Sequence, residues 1–242
     1  MRLLVTGGAG YLGAEICRQA VEAGHDVTAT QLSRPAPFGR TITVDLRAPF
    51  ELPDVDVVIH TAYVQADPDM IVRSTRNTAE AARRAGARTI HVSTDLVFDG
   101  EHAPYREEDE PRPVSEYGRA KLEAEGLLAD GLVVRTSLLY GKPGPQEALA
   151  QRADVVFYED EIRCPTHVSD LAAALLELAA LEITGVLHVA GPDAVSRLEL
   201  ARLLGARDPT AAPAPPGRAR NVALDSSRAA SFLATKIRGI KP

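Results

Sequence analysis

The 242-residue chain has few of the features that mark disulfide-rich, metal-cluster, membrane or secreted proteins. Its two cysteines, Cys17 and Cys164, are far apart in sequence, which excludes a disulfide framework and a cysteine metal cluster. Its apolar runs are too short for a helix that spans a bilayer, and glycines interrupt the N-terminal run before it reaches the length of a signal-peptide core. The net charge of −6 weighs against nucleic acid as the main partner. We therefore expect a cytoplasmic protein that binds neither membrane nor nucleic acid.

The chain does contain an alternation of short apolar runs and helical patterns, at a hydrophobic content of 45% that is ordinary for a globular protein. Strands alternating with helices predict a parallel sheet covered by helices on both faces. The fold class that we predict is therefore α/β, a doubly wound Rossmann-type parallel sheet. In the first half of the chain, the predicted strands are 2–6, 26–30, 41–45, 55–60 and 89–93, and the predicted helices are 11–23 and 67–85.

The second half is less regular and predicts a smaller lobe. Segments 99–113 and 205–220 are predicted loops because of their polar or Ala/Pro-rich composition. We divide the chain into a dinucleotide-binding domain at 1–140 and a small C-terminal α/β substrate lobe at 141–242, of which about 160–190 returns to the sheet. The predicted elements are helices at 115–128, 169–181 and 196–204, with N-caps Ser115, Ser169 and Ser196, and strands at 132–135 and 186–189.

The first predicted strand runs directly into a glycine-rich turn, TGGAGYLG, which precedes the first predicted helix. Gly8, Gly10 and Gly13 have the spacing G-x-G-x-x-G, and strand–turn–helix is the context in which this motif binds a dinucleotide. Gly8 would allow the tight turn, Gly10 the approach of the pyrophosphate, and Gly13 the close packing of the helix on the sheet. The N–H groups at the start of the helix would then receive the phosphates.

The end of the second predicted strand favours NADPH over NADH. An NAD site usually has Asp or Glu there to bind the ribose 2′-OH, but this strand ends in the acid-free run QLSR, and Asp26 stands at its opposite end. Ser33 and Arg34 would instead bind a 2′-phosphate, which suits the forked guanidinium. The alternatives are that Arg34 is a solvated loop residue, that Arg40 takes its place, or that the cofactor is NADH.

The ends of the other predicted strands complete the expected cofactor site, because ligands of such sheets collect at the carboxyl ends of strands. The residues after the third strand would border the adenine, and those after the fourth would line the nicotinamide ribose. The predicted cofactor-binding residues are Gly7, Gly8, Gly10, Tyr11, Leu12, Gly13, Ser33, Arg34, Asp45, Leu46, Thr61, Ala62, Tyr63, Tyr117 and Lys121.

A tyrosine and a lysine in the segment YGRAK are candidates for acid–base catalysis. Tyr117 and Lys121 are four residues apart, which places them on one face of the predicted helix. An ammonium beside a phenol favours the phenolate and lowers the tyrosine pKa, so the pair forms an acid–base group usable near neutral pH. Thr94, at the end of the fifth strand, would add a hydroxyl. The pair alone also fits a plain surface feature; its occurrence after the glycine motif and Thr94 favours catalysis.

These segments resemble a known family. TGGAGYLG, HVSTDLVFDG, YGRAK and VRTSLLYG look like the extended short-chain dehydrogenases/reductases. Within that family, STDLVFDG, PVSEYGRAKLEAE and RTSLLYG are most similar to dTDP-4-dehydrorhamnose reductases and related sugar-nucleotide reductases. Later segments, among them CPTHVSDLA and RARNVALDSSRA, extend the resemblance over almost the whole chain.

The resemblance implies a catalytic triad of Thr94, Tyr117 and Lys121. Tyr117 would protonate the carbonyl oxygen during hydride transfer from NADPH, Lys121 would hold the nicotinamide ribose, and Thr94 would orient the carbonyl. The implied substrate-binding residues are Thr94, Asp95, Leu138 and Arg218; for Arg218, a plain solvated arginine is the alternative.

The chain departs from the family pattern at several positions, and these differences bear on which substrate it binds. The aromatic that often follows STD is Leu96 here, and the tryptophan usual in RTSW is Leu138 in a chain without any tryptophan. An Asn that often steadies the active site is replaced by Ile71, with Asn77 on a different turn. Loss of an aromatic from the pocket allows a different leaving group or a smaller substrate.

We expect an NAD(P)H-dependent reductase of a keto-sugar nucleotide or related ketone, acting as a monomer or homodimer on a small-molecule substrate. One alternative is a sugar-nucleotide epimerase or dehydratase, although the acidic residue Asp95 after Thr94 is not followed by a glutamate. The other is a non-catalytic dinucleotide-binding regulator. We expect no metal site, because the histidines are scattered and none has the spacing of paired ligands.

Overall fold

A seven-stranded parallel sheet forms the centre of the computed structural model, which describes residues 1–241. The order of its strands is β3-β2-β1-β4-β5-β6-β11, the order of the doubly wound dinucleotide-binding fold with one added strand. The strands of the structure are β1 Arg2–Thr6, β2 Asp26–Gln31, β3 Arg40–Thr43, β4 Val57–His60, β5 Arg88–Thr94, β6 Leu132–Thr136, β7 Leu139–Tyr140, β8 Val156–Tyr158, β9 Ile162–Arg163, β10 Thr166–His167, β11 Gly185–His188, β12 Val195–Ser196 and β13 Thr210–Ala212.

The central strands are apolar along their whole length because both of their faces are buried. Leu3, Leu4 and Val5 of β1 have no exposed surface. Leu4 lies opposite Val58 of β4 in parallel register, and the strand order reverses between these two strands. Ligands of such sheets bind at the carboxyl ends of the strands beside this point of reversal.

The longest helix begins and ends at residues that cap it. Asp67 accepts a hydrogen bond from the backbone N–H of Met70 at 3.0 Å, Pro68 opens the following helix, and Gly86 ends it with a φ of 68°. The helices are α1 Tyr11–Glu22, α2 Pro68–Ala85, α3 Glu116–Glu125, α4 Pro145–Ala150, α5 Val168–Ala179, α6 Arg197–Leu203 and α7 Ser227–Ala230, with a 3-10 turn at Asp95–Val97.

The chain forms two compact units, each built from three segments. The first unit comprises residues 1–93, 120–134 and 172–186 and contains most of the central sheet. The second comprises 94–119, 135–171 and the chain from 187 onward. The second unit contains three short strand pairs, β7 with β10, β9 with β12 and β8 with β13, and a small apolar cluster that includes Phe157 and Leu198. The division that we predicted at residue 140 concerns binding roles and stays a prediction.

The predicted α/β fold and the main elements of its first half are confirmed. Ser115 and Ser196 accept hydrogen bonds from the N–H groups of Gly118 and Glu199, as expected of N-caps. The prediction that Ser169 caps the next helix is wrong, because α5 begins at Val168. The predicted loop at 205–220 contains β13, a three-residue strand that pairs with β8 despite its Ala-rich sequence.

Candidate active site

The glycine-rich turn lies in the first unit, between the carboxyl end of β1 and the start of α1. Gly10 precedes the helix in an extended conformation and has no side chain to cap it, so first-turn N–H groups point toward the end of the sheet. No acidic residue lies in that first turn. The positive end of the helix dipole is therefore open to an anion.

Two glycines of this turn are required by its shape. Gly7 has a φ of 70°, a left-handed conformation that other residues adopt at a cost. A Cβ on Gly13 would stand 2.2 Å from the carbonyl oxygen of Gly7, so only glycine lets α1 approach the turn. Gly8 differs from our expectation: the tight turn is at Gly7, and a Cβ on Gly8 would instead meet Ala29 of β2 at 2.6 Å.

The arginines near the end of β2 have different environments. Ser33 and Arg34 are exposed in the loop that follows this strand, where the adenosine ribose was expected. Arg40 opens β3 and its guanidinium pairs with Asp26 at 2.9 Å, at the amino ends of both strands. Because cofactors bind at the carboxyl ends, this placement leaves Arg34 as the candidate for a 2′-phosphate.

The loop after β3 is fixed by a residue of α2. The buried Asn77 donates from Nδ2 to the carbonyl oxygen of Leu46 at 2.8 Å. Asp45 forms an ion pair with Arg47, which lowers the pKa of the Asp45 carboxyl to about 2. Sequence reasoning missed this role of Asn77; a polar residue at a buried helix position was the available signal.

The carboxyl ends of β1 and β4 are joined by a buried network. Thr6 Oγ1 accepts from the N–H groups of Thr61 and Ala62 at 3.1 and 3.2 Å, so its own proton is directed to Nδ1 of His60, 2.7 Å away. His60 therefore carries its proton on Nε2, which donates to Thr75 Oγ1 at 3.1 Å. Burial, followed by the charge of Lys121, lowers the pKa of His60 to about 3. The network holds Thr61 and Ala62, two predicted cofactor residues, with an uncharged imidazole.

Lys121 is buried in the first unit and points at β5. Its Nζ donates to the carbonyl oxygen of Val92 at 2.6 Å and lies 3.1 Å from Nε2 of His91. The ring centroid of Tyr63 is 5.7 Å from Nζ. Burial lowers the pKa of Lys121 to about 7, and the Glu125 carboxylate opposes that shift. Among residues 1–241, Nζ has no third hydrogen-bond acceptor.

In the second unit, Thr94 leads into a buried ion pair. Its hydroxyl donates to Asp95 Oδ1 at 3.1 Å and accepts from the N–H of Leu96 at 3.2 Å. Arg163 donates to both carboxylate oxygens of Asp95, and Ser137 donates to Oδ2 at 2.5 Å. Burial alone would lower the pKa of the Arg163 guanidinium, but Asp95 raises it above its ordinary value. Asp95 has no exposed surface, so we revise its expected role from touching the substrate to fixing Thr94.

Helix α3 approaches this turn through a glycine. A Cβ on Gly118 would stand 2.2 Å from the carbonyl oxygen of Leu96. The glycine therefore places the preceding residue, Tyr117, beside the turn that carries Thr94. Gly118 lies in the segment YGRAK, and sequence reasoning assigned it no role. Lys121 follows Tyr117 by one turn of α3, as the spacing predicted.

A cluster of arginines lies in the same unit. Arg218 is half exposed, pairs with the buried Glu161 and stacks on the ring of Tyr158 at 4.9 Å. The Arg218 guanidinium therefore has an ion-pair partner and an aromatic contact, unlike a plain solvated arginine. Leu138 is half buried, and its carbonyl oxygen accepts from Thr166 at 2.8 Å.

Sequence reasoning missed Arg197, the first residue of α6. Burial lowers the pKa of its guanidinium, and the like charge of Arg163 lowers it further. No carboxylate among the described residues forms an ion pair with it. Three arginines here face two carboxylates, Asp95 and Glu161, which leaves one positive charge in excess.

No group of three or more His, Cys, Asp or Glu residues within 1–241 is arranged to hold a metal ion. Over the same residues, none of the helices combines the length and apolar character needed to cross a membrane.

The fold and these residues define an extended short-chain dehydrogenase/reductase of the sugar-nucleotide type. More specifically, the chain belongs to the family of the RmlD substrate binding domain, whose family model matches residues 1–236.

Several relatives are similar over most of their length. The dTDP-4-dehydrorhamnose reductase of Mycobacterium tuberculosis is 37% identical over 83% of this chain and 73% of its own. Methionine adenosyltransferase 2 subunit beta of Rattus norvegicus is 30% identical over 83% and 70%.

Solved structures of sugar-nucleotide enzymes have a similar fold. A hypothetical dTDP-4-dehydrorhamnose reductase from Sulfolobus tokodaii has a TM-score of 0.85 at 29% identity, covering 98% of this chain and 97% of its own. MoeE5 in complex with UDP-glucuronic acid and NAD has a TM-score of 0.84 at 28% identity, covering 98% and 94%.

Proposed function

We propose that the protein is an NAD(P)H-dependent reductase that converts the keto group of a nucleotide-linked sugar to an alcohol. The observation that carries the proposal is the start of α3, where Gly118 lets Tyr117 approach the turn of Thr94 and where Lys121 follows one turn later. The M. tuberculosis relative is named for this activity on dTDP-4-dehydrorhamnose.

The residues of the first unit fit a nicotinamide dinucleotide. The uncapped start of α1 suits the pyrophosphate, and the unused N–H of the Lys121 ammonium suits a ribose hydroxyl. Thr61, Ala62 and Tyr63 would line the same end of the sheet. When bound, the reduced nicotinamide supplies the hydride. We propose NADPH as the preferred cofactor because an arginine, and no acid, follows β2.

The chain's own residues supply the proton and the orientation. Tyr117 donates its phenolic proton to the carbonyl oxygen of the substrate as negative charge develops there. The Lys121 ammonium stabilises the resulting phenolate electrostatically. Thr94, held by Asp95, donates its hydroxyl proton to the same oxygen once it turns from the carboxylate. We assign Asp95 to positioning, because Arg163 and Ser137 already occupy its oxygens.

The buried Asp95–Arg163 pair also favours a reductase over a dehydratase. A dehydratase needs an extra acid–base group near Thr94, and Arg163 donates two hydrogen bonds to the carboxylate of Asp95, a residue with no exposed surface. If this carboxylate turned to the substrate, the buried guanidinium would be left without its partner, which is costly.

The charge of the second unit supports an anionic substrate, with the lobe at 141–242 as its binding region. Arg197 lacks an ion pair among the described residues, and a diphosphate would pair with it and with Arg218. Arg197→Met should raise KM for a nucleotide-linked ketone about 10-fold or more, with little change for a simple ketone. Arg202→Met is the matched control, since Arg202 is an exposed residue of the same helix.

The direct test is incubation with NADPH or NADH and a panel of keto-sugar nucleotides and simple ketones, followed at the nicotinamide absorbance. Consumption of cofactor with a nucleotide-linked ketone is the expected result. Isomeric products without consumption would identify an epimerase instead.

A regulatory role is the second candidate, because one relative is a subunit of methionine adenosyltransferase 2. That role predicts dinucleotide binding without turnover on any ketone. Both Tyr117 and Lys121 are present here, which favours the enzyme. We also place the protein in the cytoplasm, on the ground of its two buried free thiols.

A further inference from the structure

His91 lies between the catalytic lysine and the interior of the first unit. Its Nε2 is 3.1 Å from Nζ of Lys121, and its ring stacks on that of His60 with centroids 5.2 Å apart. Its other nitrogen, Nδ1, is buried without a hydrogen-bond partner among residues 1–241. A buried imidazole whose only polar contact is the lysine is placed to act on that lysine.

The two tautomers of a neutral imidazole give this contact two forms. With the proton on Nδ1, Nε2 accepts a hydrogen bond from the Lys121 ammonium. With the proton on Nε2, the ring donates to the lone pair of a neutral Lys121 amine, while an amine N–H still reaches Val92. In both forms Nδ1 has no partner, so neither tautomer is fixed from the other side of the ring.

His60 cannot respond in this way. Its two nitrogens are engaged by Thr6 and Thr75, which fix one tautomer. The two stacked imidazoles therefore differ in one property: the ring next to the lysine is free to change its tautomer, and the ring behind it is not.

We propose that His91 is a positioning residue that holds Nζ of Lys121 in both protonation states, accepting a hydrogen bond from the ammonium and donating one to the amine. The inference rests on the proposed function for its purpose, because Lys121 is assigned there to stabilise the phenolate of Tyr117. The contact between Nζ of Lys121 and Nε2 of His91 is a single hydrogen bond. That bond is measurable in the protein without substrate or cofactor.

The groups around Nζ are few. On the sheet side, His91 of β5 and His60 of β4 face it, and both are uncharged because burial lowers their pKa values. Tyr63 faces it from the loop after β4, and Glu125 stands one turn further along α3. Tyr117 precedes it by one turn of the same helix. Glu125 alone favours the ammonium among the charged groups of the first unit, and it also accepts a hydrogen bond from Ser93.

The test in the unaltered protein is ¹⁵N and ¹³C NMR across a pH titration. The chain has four lysines, so labelled lysine Cε signals are few, and Lys121→Arg assigns the one from Lys121. We expect this signal to titrate near pH 7, with Nε2 of His91 changing from pyridine-like to pyrrole-like at the same pH. A His91 signal that stays constant through the lysine titration would overturn the proposal.

Variants separate the hydrogen bond from simple packing. His91→Leu removes the acceptor and should lower the Lys121 pKa by about one unit or more, since hydrogen bonds to charged groups are the stronger class. His91→Gln keeps a group that can accept or donate, and should restore the pKa to within about half a unit. His60→Gln is the matched control, because the nitrogens of His60 bond to Thr6 and Thr75 and not to Nζ, and it should change the Lys121 pKa less than His91→Leu does.

Activity adds an independent readout. The pH profile of kcat should move with the Lys121 pKa in His91→Leu and return in His91→Gln. Equal lysine pKa values in His91→Leu and the parent would contradict the proposal. If His91→Leu does not fold, the NMR titration of the unaltered protein tests the proposal by itself, through the tautomer change of His91. If the protein has no reductase activity, the NMR result still stands and only the proposed function fails.

Discussion

The surroundings of Lys121 in the first unit and of Thr94 in the second bury polar groups by different means. The first contains His60 and His91, which are uncharged, and Lys121, whose pKa is lowered to about 7 by burial. The second contains Asp95 and Arg163, which form a buried ion pair.

The difference follows from what each unit is proposed to bind. Burial of an unpaired charge is costly, so a group either loses its charge or gains a partner. Lys121 has mostly neutral neighbours, so burial lowers its pKa to about 7. A carboxylate that must only hold a hydroxyl in place is better paired.

The largest expected effect is on catalysis. Tyr117→Phe removes the proton donor and should lower turnover by about 10²–10⁴, the range for loss of a general acid. Cofactor affinity, measured by fluorescence titration, should stay near that of the parent because Lys121 and the glycine turn are unchanged. Turnover within twofold of the parent would remove Tyr117 from the reaction.

The ion pair of the second unit should be the most sensitive point for stability. Asp95→Ala leaves the buried Arg163 guanidinium without its partner and should cost about 3–5 kcal/mol in urea unfolding. The double variant Asp95→Leu/Arg163→Met removes both charges and should cost less than the single change. A double variant less stable than Asp95→Ala would mean that the pair is not the source of the effect.

The exposed charge of Arg34 in the first unit should affect the preference for NADPH over NADH. Arg34→Ala should weaken NADPH binding roughly 10- to 100-fold by loss of a charge-assisted contact, with little change for NADH. Arg40→Ala is the matched control, because Arg40 pairs with Asp26 at the opposite end of the strands. If both variants and the parent discriminate equally between the cofactors, neither arginine binds the 2′-phosphate.

Acid should weaken the first unit through its histidines. The unfolded chain protonates each imidazole near pH 6.5, whereas folded His60 stays neutral down to about pH 3. This part of the stability is complete above pH 6.5 and is lost as the pH falls toward 3. Each histidine should contribute roughly 1–2 kcal/mol of loss between pH 6.5 and pH 5. His60→Gln should flatten the curve in that interval, and an unchanged slope would contradict the assignment.

Much of this organisation was predictable from the sequence. Apolar runs identified the buried strands, and the spacing of glycines located the turn after β1, because both depend on local pattern. The roles inside the turn were less accessible, since the clash of Gly8 with Ala29 depends on a neighbouring strand. The second unit was least predictable: β7, β9, β10 and β12 have two residues each and no periodicity.

Contacts distant in sequence account for the rest. Asp95 and Arg163 are 68 residues apart, and no pattern indicates that they meet. Arg197 was missed for the same reason, because its environment is created by residues from other segments. His60 and His91 lie within predicted strands, but their neutral state depends on burial that only the fold defines.

Transfer of deuterium tests the proposed reduction most directly. NADPH carrying two deuterons at nicotinamide C4 is incubated with the protein and a nucleotide-linked 4-keto sugar, and the product is analysed by mass spectrometry and NMR. We expect one deuteron on the former carbonyl carbon and one equivalent of oxidised cofactor per product. An epimerised or dehydrated product without net cofactor oxidation, or tight cofactor binding with no product, would contradict the proposal.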